Sequence, residues 1–405
     1  MKRAEKKRSG EPEELELQTP VNDYYESVSE RYGVAQVILY MALLAFVSIS
    51  LLSNTGLITY QNLYYFFKDL NASAETVDVL HTDAVSYPTD VSQSFALYRQ
   101  GLAVAGNTSV TVFTATGRQV LSQSIQYQNP VAVGSGKYLL VYELGGTQYT
   151  LYNSYTQIFS GRTQEPLRGA AVSSSGMYAL ITQSAQYPSV VELYDSGFDL
   201  TGRYPYNAYV TDVALNAKGT MLAVVTSASA NGVFSTRLHV YQPGSTEKLS
   251  ELEVSDSLGL RCVFTENGNI AILCGGGVYY ASVRGTLEAE HSFEGKNLSC
   301  ADLNESGCAV VLKKSGNSAE NEIIVFDKSG KMLYNRTAVE KADAIVLCGG
   351  AVFLKQPDGV LRIKSADGTE TKVSCTTDQR TLLAVDETRV LLCSPQKAVY
   401  YRFGN

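Results

Sequence analysis

A strand, a polar turn closed by a glycine, and a second strand recur along most of this chain. The phrase reads TDVALNAKGTMLAVV at 211–225, ADLNESGCAVVL at 301–312 and AAVSSSGMYALI at 170–181. Its turn glycines are Gly136, Gly176, Gly219, Gly268 and Gly307, spaced 40, 43, 49 and 39 residues apart. Each is suited to the positive φ that a tight hairpin demands. Midway between them lies a second hairpin, with glycines at Gly117, Gly197, Gly244, Gly330 and Gly368. Two hairpins per unit make four strands. Four short strands at this period are the signature of a propeller blade. One blade cannot bury both of its faces, so blades stack around an axis until the ring closes.

The expected fold is therefore all-β, a β-propeller of four-stranded blades over residues 76–405. Blades are expected to begin near Phe95, Asn129, Leu167, Tyr209, Ser257, Asn297 and Ala342. The last segment, 381–403, supplies three strands. The upstream stretch TVDVLHTD, 76–83, is expected to supply the fourth and so join the two chain ends, which removes a sheet edge. That count gives eight blades, with seven as the alternative.

Upstream of the repeat, residues 34–52 form a charge-free apolar run, VAQVILYMALLAFVSISLL. Nineteen helical residues extend about 28 Å, close to the thickness of a bilayer core. A cleaved signal peptide would have a shorter lead and a small-residue cleavage site. The expectation is one transmembrane helix over 34–58, after a disordered cytoplasmic tail, 1–33, and before a juxtamembrane segment, 59–75. Lys2, Arg3, Lys6, Lys7, Arg8 and Arg31 precede the run, whereas only Lys68 follows it before Arg99. The positive-inside rule then places the N-terminus in the cytoplasm and the propeller outside.

This layout resembles an uncharacterised family of single-pass, membrane-anchored propeller proteins from clostridial-type Gram-positive bacteria. The blade pattern resembles the quinoprotein-like (PQQ-like) and WD40-like propellers, without a WD dipeptide. The resemblance implies a fold and a location at the cell envelope, and carries no catalytic residues.

The chemistry-bearing residues are sparse. The three histidines, His81, His239 and His291, lie far apart, and the sequence has no GxSxG, HExxH or P-loop motif. Seven cysteines lie beyond residue 260 without CxxC spacing and read mainly as small buried hydrophobes. A net charge of −7 argues against a nucleic-acid partner. Asp212, Asp302, Asp343 and Asp386 recur near blade starts, where they either cap turns or line a channel. No catalytic residue, metal or cofactor is expected.

Aromatic use is skewed, with 27 Tyr, 13 Phe and no Trp. Tyr127, Tyr187, Tyr204, Tyr206 and Tyr209 fall in segments expected on one face of the ring. They read either as a ligand face or as packing between blade edges. The expected function is a tethered, non-catalytic module for an envelope protein, a peptide or a cell-wall polymer. The alternative is an extracytoplasmic hydrolase or lyase using channel carboxylates.

Overall fold

The structure is a computed structural model that describes residues 23–53, 84–153, 155–313, 321–339, 341–375 and 381–404. Its 32 strands, numbered β1 to β32 along the chain, form eight antiparallel four-stranded sheets. Blades 1 to 7 are continuous in sequence, at 93–124, 130–162, 169–206, 209–255, 259–292, 297–339 and 344–374. Each starts within two residues of the position the repeat predicts. The eighth is composite. β30 (Thr381–Asp386), β31 (Arg389–Cys393) and β32 (Lys397–Arg402) pair in order, and β1 (Ala84–Ser86) adds to the outside of β32. The ring therefore closes by joining the chain ends, as expected. The closing strand, however, is Ala84–Ser86 rather than 76–83, which lies outside the described residues. Val85 explains the choice: it is the strand's buried residue and enters the cluster between blades 8 and 1.

The innermost strands form a closed circuit. They are β2 (Gln93–Tyr98), β6 (Pro130–Gly134), β10 (Gly169–Val172), β14 (Tyr209–Leu215), β18 (Gly259–Phe264), β22 (Asn297–Asn304), β26 (Ala344–Cys348) and β30. Each touches the next, and β30 touches β2. The core is divided accordingly. Eight buried clusters are present, one between each pair of neighbouring blades. The second and third strands of each blade supply most of their side chains, because they are covered on both faces and read as unbroken apolar runs.

Tyrosine does much of the packing. Tyr98, Tyr152, Tyr178 and Tyr280 are among the largest fully buried side chains. Several reach across a blade boundary. The Tyr98 hydroxyl of blade 1 donates to the Lys137 carbonyl of blade 2 at 3.0 Å, whereas that of Tyr87, just after the closing strand, donates within blade 8 to the Ser394 carbonyl at 2.6 Å. Such a side chain fills the gap between two sheets and still satisfies its own hydroxyl.

Eight of the ten repeat glycines have a positive φ. Gly136 does not, because Ser135 N–H donates to the Tyr138 carbonyl at 2.8 Å and closes a tight turn without it. In the turn containing Gly197 the left-handed position falls instead on Phe198, φ 71°, whose ring stacks on Phe159 at 4.5 Å.

The N-terminal helix α1 runs over Asp23–Ser53. Residues 23–33, expected in a disordered tail, are thus helical, because extending a formed helix adds one hydrogen bond per residue fixed. The expected membrane span needs correction as well: among the described residues, no helix is long and apolar enough to cross a membrane. Residues 54–58 of the expected span, and all of the segment 59–75, lie outside the described residues.

Candidate functional site

In each blade the second-to-third-strand turn and the connection to the next blade emerge on one face of the ring, called here the upper face. The sequence places five tyrosines there. The structure separates them. Tyr127 is buried, and its hydroxyl shares a hydrogen bond with Thr150 Oγ1 at 2.7 Å. Tyr204 and Tyr206 are buried on β13 (Leu200–Tyr206), the outer strand of blade 3. Their hydroxyls donate into blade 4, to the Ser245 carbonyl at 3.0 Å and to Tyr241 Oη at 2.9 Å. Burial raises the pKa of all three phenols. These three are packing between blades. Tyr187 is half-buried in a turn of blade 3. Only Tyr209 stands open, at 69% exposure.

Tyr209 borders the most unusual feature of the upper face. In blade 4 the second and third strands, β15 (Leu222–Ala230) and β16 (Val233–Tyr241), are nine residues each, against five to seven in the other blades. They pair to the tip, Ala230 opposite Val233. Asn231 and Gly232 turn the chain with φ of 51° and 79°, the arrangement that an Asn-Gly hairpin favours. Residues 228–234 are all exposed, so the ribbon projects beyond the body of the blade.

Its base is fixed by hydroxyl groups. Ser227 Oγ and Thr236 Oγ1, both buried, lie 2.8 Å apart. Both accept the Gly259 N–H, at 3.1 and 2.9 Å, and Thr236 donates to the Ser257 carbonyl at 2.5 Å. This clamps the ribbon to the connection between blades 4 and 5. Glycine is required at 259: a Cβ there would meet Val225 and Thr236 side-chain carbons at 2.8 Å.

Alternation along the ribbon then orders the surface. Thr236 faces the connection, so Phe234, two residues on, lies on the same side. Ser227 also faces it, and Tyr209 is its cross-strand partner. Phe234, Tyr209, Leu258 and Leu260 are all exposed. At the foot of the ribbon is a cleft of about 460 Å³ lined by Glu253, Val254, Ser255, Asp256, Ser257, Gly276, Tyr279 and Glu290. Its described lining holds three carboxylates and no cation. Two signals in the sequence pointed here without being read as a site: the Asn-Gly pair inside an alternating run, and the 49-residue interval, the longest of the four.

The channel carboxylates form a second constellation. Asp212 on β14 follows a β-bulge and accepts the Cys262 N–H of β18 at 2.8 Å. Asp302 on β22 accepts the Leu347 N–H of β26 at 2.9 Å. Ser94 on β2 does the same for the Ala132 N–H of β6, at 3.1 Å. These groups tie one inner strand to the next. Arg261, on the strand between the two aspartates, pulls both carboxyls down, but burial outweighs it and pushes Asp212 up to about 6 and Asp302 upward. Asp343 instead pairs with Lys341 and Lys355, and Asp386 with Arg389, at blade ends. Among the described residues no group of three or more His, Cys, Asp or Glu is placed to hold a metal. All seven cysteines are free thiols, four of them buried.

The Asp212 shift makes a testable sign. A carboxyl whose folded value lies above its unfolded 3.8 is penalised when ionised, fully above pH 6 and not at all below about 3.8. Asp212→Asn keeps the acceptor and removes the charge. It should stabilise the protein by about 1–2 kcal/mol at pH 8, less than the full shift because this carboxylate is part-exposed and so screened by solvent. The gain should fall to about a third at pH 4.5. Urea midpoints at the two pH values measure it, and an equal gain at both would refute the assignment.

The profile of a family of unknown function, DUF5711, matches residues 74–399. The chain belongs to the DUF5711 family. No curated protein matches it by sequence. Among solved structures, the DUF5711 propeller is similar to BamB from Moraxella catarrhalis, at 13% identity and a TM-score of 0.53, covering 80% of this chain and 99% of that one. It is also similar to Chaetomium thermophilum Sqt1 bound to the N-terminus of ribosomal protein L10, at 13% and 0.54, covering 79% and 98%. A eukaryotic initiation factor matches at 14% and 0.52, covering 80% and 85%. At these identities the likeness shows the fold alone. WD40 and PQQ-like propellers are thus structural neighbours, as the blade pattern suggested.

Proposed function

We propose that the protein is a membrane-tethered, non-catalytic interaction module, whose propeller holds an envelope protein, a peptide or a cell-wall polymer outside the cell. The observation that carries this reading is the projecting ribbon of blade 4. It exposes Phe234 on the same side as Tyr209, with Leu258 and Leu260 exposed where the next blade begins, and its base is rigidly clamped. Soluble surfaces rarely leave adjacent large apolar side chains uncovered unless something docks on them. Sqt1, solved with the N-terminus of another protein bound, is a propeller with a polypeptide partner.

Among the described residues no helix is long and apolar enough to cross a membrane, so the tether is proposed on the sequence alone, from the charge-free run 34–52 and the basic residues before it. Described apolar side chains of α1 are exposed on every side of the helix, including Val34, Val37, Ile38, Leu39, Met41, Leu43, Leu44 and Phe46. A helix apolar all round belongs in lipid or in a protein core. The rival reading, a hydrolase or lyase built on channel carboxylates, draws on Asp212 and Asp302. Each carboxylate already accepts a backbone N–H from the next blade, which favours a structural role.

A photoreactive residue at Phe234, with one at Lys328 on the opposite face as control, tests the module. In intact cells, position 234 should give a saturable adduct and position 328 none, and the chain should stay with membranes through a carbonate wash. Adducts from 328 alone would overturn the face. Release by carbonate would overturn the tether.

A further inference from the structure

The outer strand of blade 4, β17 (Lys248–Ser255), is shorter than the ribbon beside it. Its pairing with β16 starts at Thr236 opposite Ser255 and runs toward Tyr241. Residues 233–235 pair with β15 on one side, while on the other side β17 has already ended. They present about 10 Å of strand edge. Such an edge is a template for another strand. Native sheets often blunt it with lysine or proline; this one carries Val, Phe and Ser. The ribbon is also held in place before any partner arrives, by the Asn-Gly turn at its tip and the hydroxyl clamp at its base.

The surroundings specify what would pair there. The acidic cleft is lined by Ser255, Asp256 and Ser257, so it opens where the free edge begins. Glu253 is partly neutralised by Arg237 at 3.1 Å. Asp256 and Glu290 are exposed, and neither has an ion pair among the described residues. On the ribbon side the contact surface is apolar, with Phe234, Tyr209 and Leu258.

We propose that the partner is an extended polypeptide segment that adds as a strand to the free edge at residues 233–235, lays apolar side chains against Phe234, and places a lysine or arginine in the cleft beside Asp256 and Glu290. This rests on the interaction-module reading and narrows it from three partner classes to one. Main-chain hydrogen bonds along the edge supply affinity, and the cleft and Phe234 select the sequence. A neutral polymer would satisfy neither the unpaired carboxylates nor the strand edge.

The test uses the full chain in mild detergent and three fluorescein-labelled octapeptides, read by anisotropy. The first alternates valine and threonine with one central lysine. The second carries glutamate in place of that lysine. The third is the lysine peptide with alternate backbone nitrogens methylated. The lysine peptide should bind at least tenfold more tightly than either twin. Asp256→Asn with Glu290→Gln should weaken it about tenfold and flatten its salt dependence, and Phe234→Ser should weaken it without that flattening. All these positions are exposed, so unchanged urea midpoints will show that the variants fold. Equal binding of the lysine and glutamate peptides, or of the methylated peptide, overturns the inference. If no peptide binds while position 234 still cross-links a partner in cells, strand addition is wrong and the module stands. If both fail, the module reading falls too.

Discussion

Replacing Tyr127 and Tyr206 together by serine is expected to unfold the propeller. The two rings are 5% and 7% exposed and sit in separate clusters, one between blades 1 and 2 and one between blades 3 and 4. Removing a buried aromatic ring costs about 3–5 kcal/mol through lost transfer energy and the cavity left behind. The serine hydroxyl is too short to restore the bonds to Thr150 Oγ1 and Tyr241 Oη. Sites in different clusters should add, giving about 6–10 kcal/mol against a typical total of about 5–15. Tyr→Phe at the same positions keeps the ring and loses only the hydroxyl bond, about 1 kcal/mol each. Far-UV circular dichroism against urea separates the two outcomes. A serine variant that keeps the parent midpoint would show that these rings do not bind the blades together.

That result would invert the obvious reading of these tyrosines as a binding face, and the reason is geometric. Which face of the ring a segment lies on follows from strand order, and the repeat makes strand order legible. Whether a side chain at the end of an outer strand points to solvent or into the next blade depends on a two-residue alternation and on the bulge at Leu193/Tyr194. A one-residue shift moves a side chain from surface to core. Tyr204 and Tyr206 share parity and both turn toward blade 4; Tyr209, three residues on from Tyr206, opens the next blade and is exposed. Blade number and blade starts were readable because each unit repeats the same two hairpins, and eight weak signals reinforce one another. The ribbon of blade 4 departs from the repeat, so periodic reasoning registers it only as a long interval. The closing strand is three residues long, too short for alternation to distinguish it from its flanks. Side-chain hydrogen bonds such as that of Asp212 to the Cys262 N–H join residues 50 apart, and no local pattern encodes them.

Ending the chain after Arg402 should cost nearly as much as the tyrosine pair, for a reason the repeat does not reveal. Phe403 is 1% exposed and packs on Phe353 of blade 7, with ring centroids 5.4 Å apart. Its N–H donates to the Thr388 carbonyl at 2.8 Å, which continues the pairing of β32 with β31 one residue past Arg402. The next residue, Gly404, accepts a bond from Arg362 Nη1 at 2.9 Å. Arg362 is only 4% exposed, and its Nε has no partner among the described residues. Losing residues 403–405 therefore opens a phenyl-sized cavity and strips a buried guanidinium of an acceptor. The first effect is worth about 3–5 kcal/mol, and leaving a buried charge less well satisfied adds to it. Because β32 also carries the closing strand β1, the damage falls where the ring is joined. Phe403→Leu should recover most of the cavity term, whereas adding Arg362→Met to the truncation should recover part of the charge term. Those two variants, compared with the truncation by urea denaturation of the full chain in mild detergent, divide the loss between packing and charge. A truncated chain as stable as the parent would mean that the ring is held shut by β1 alone.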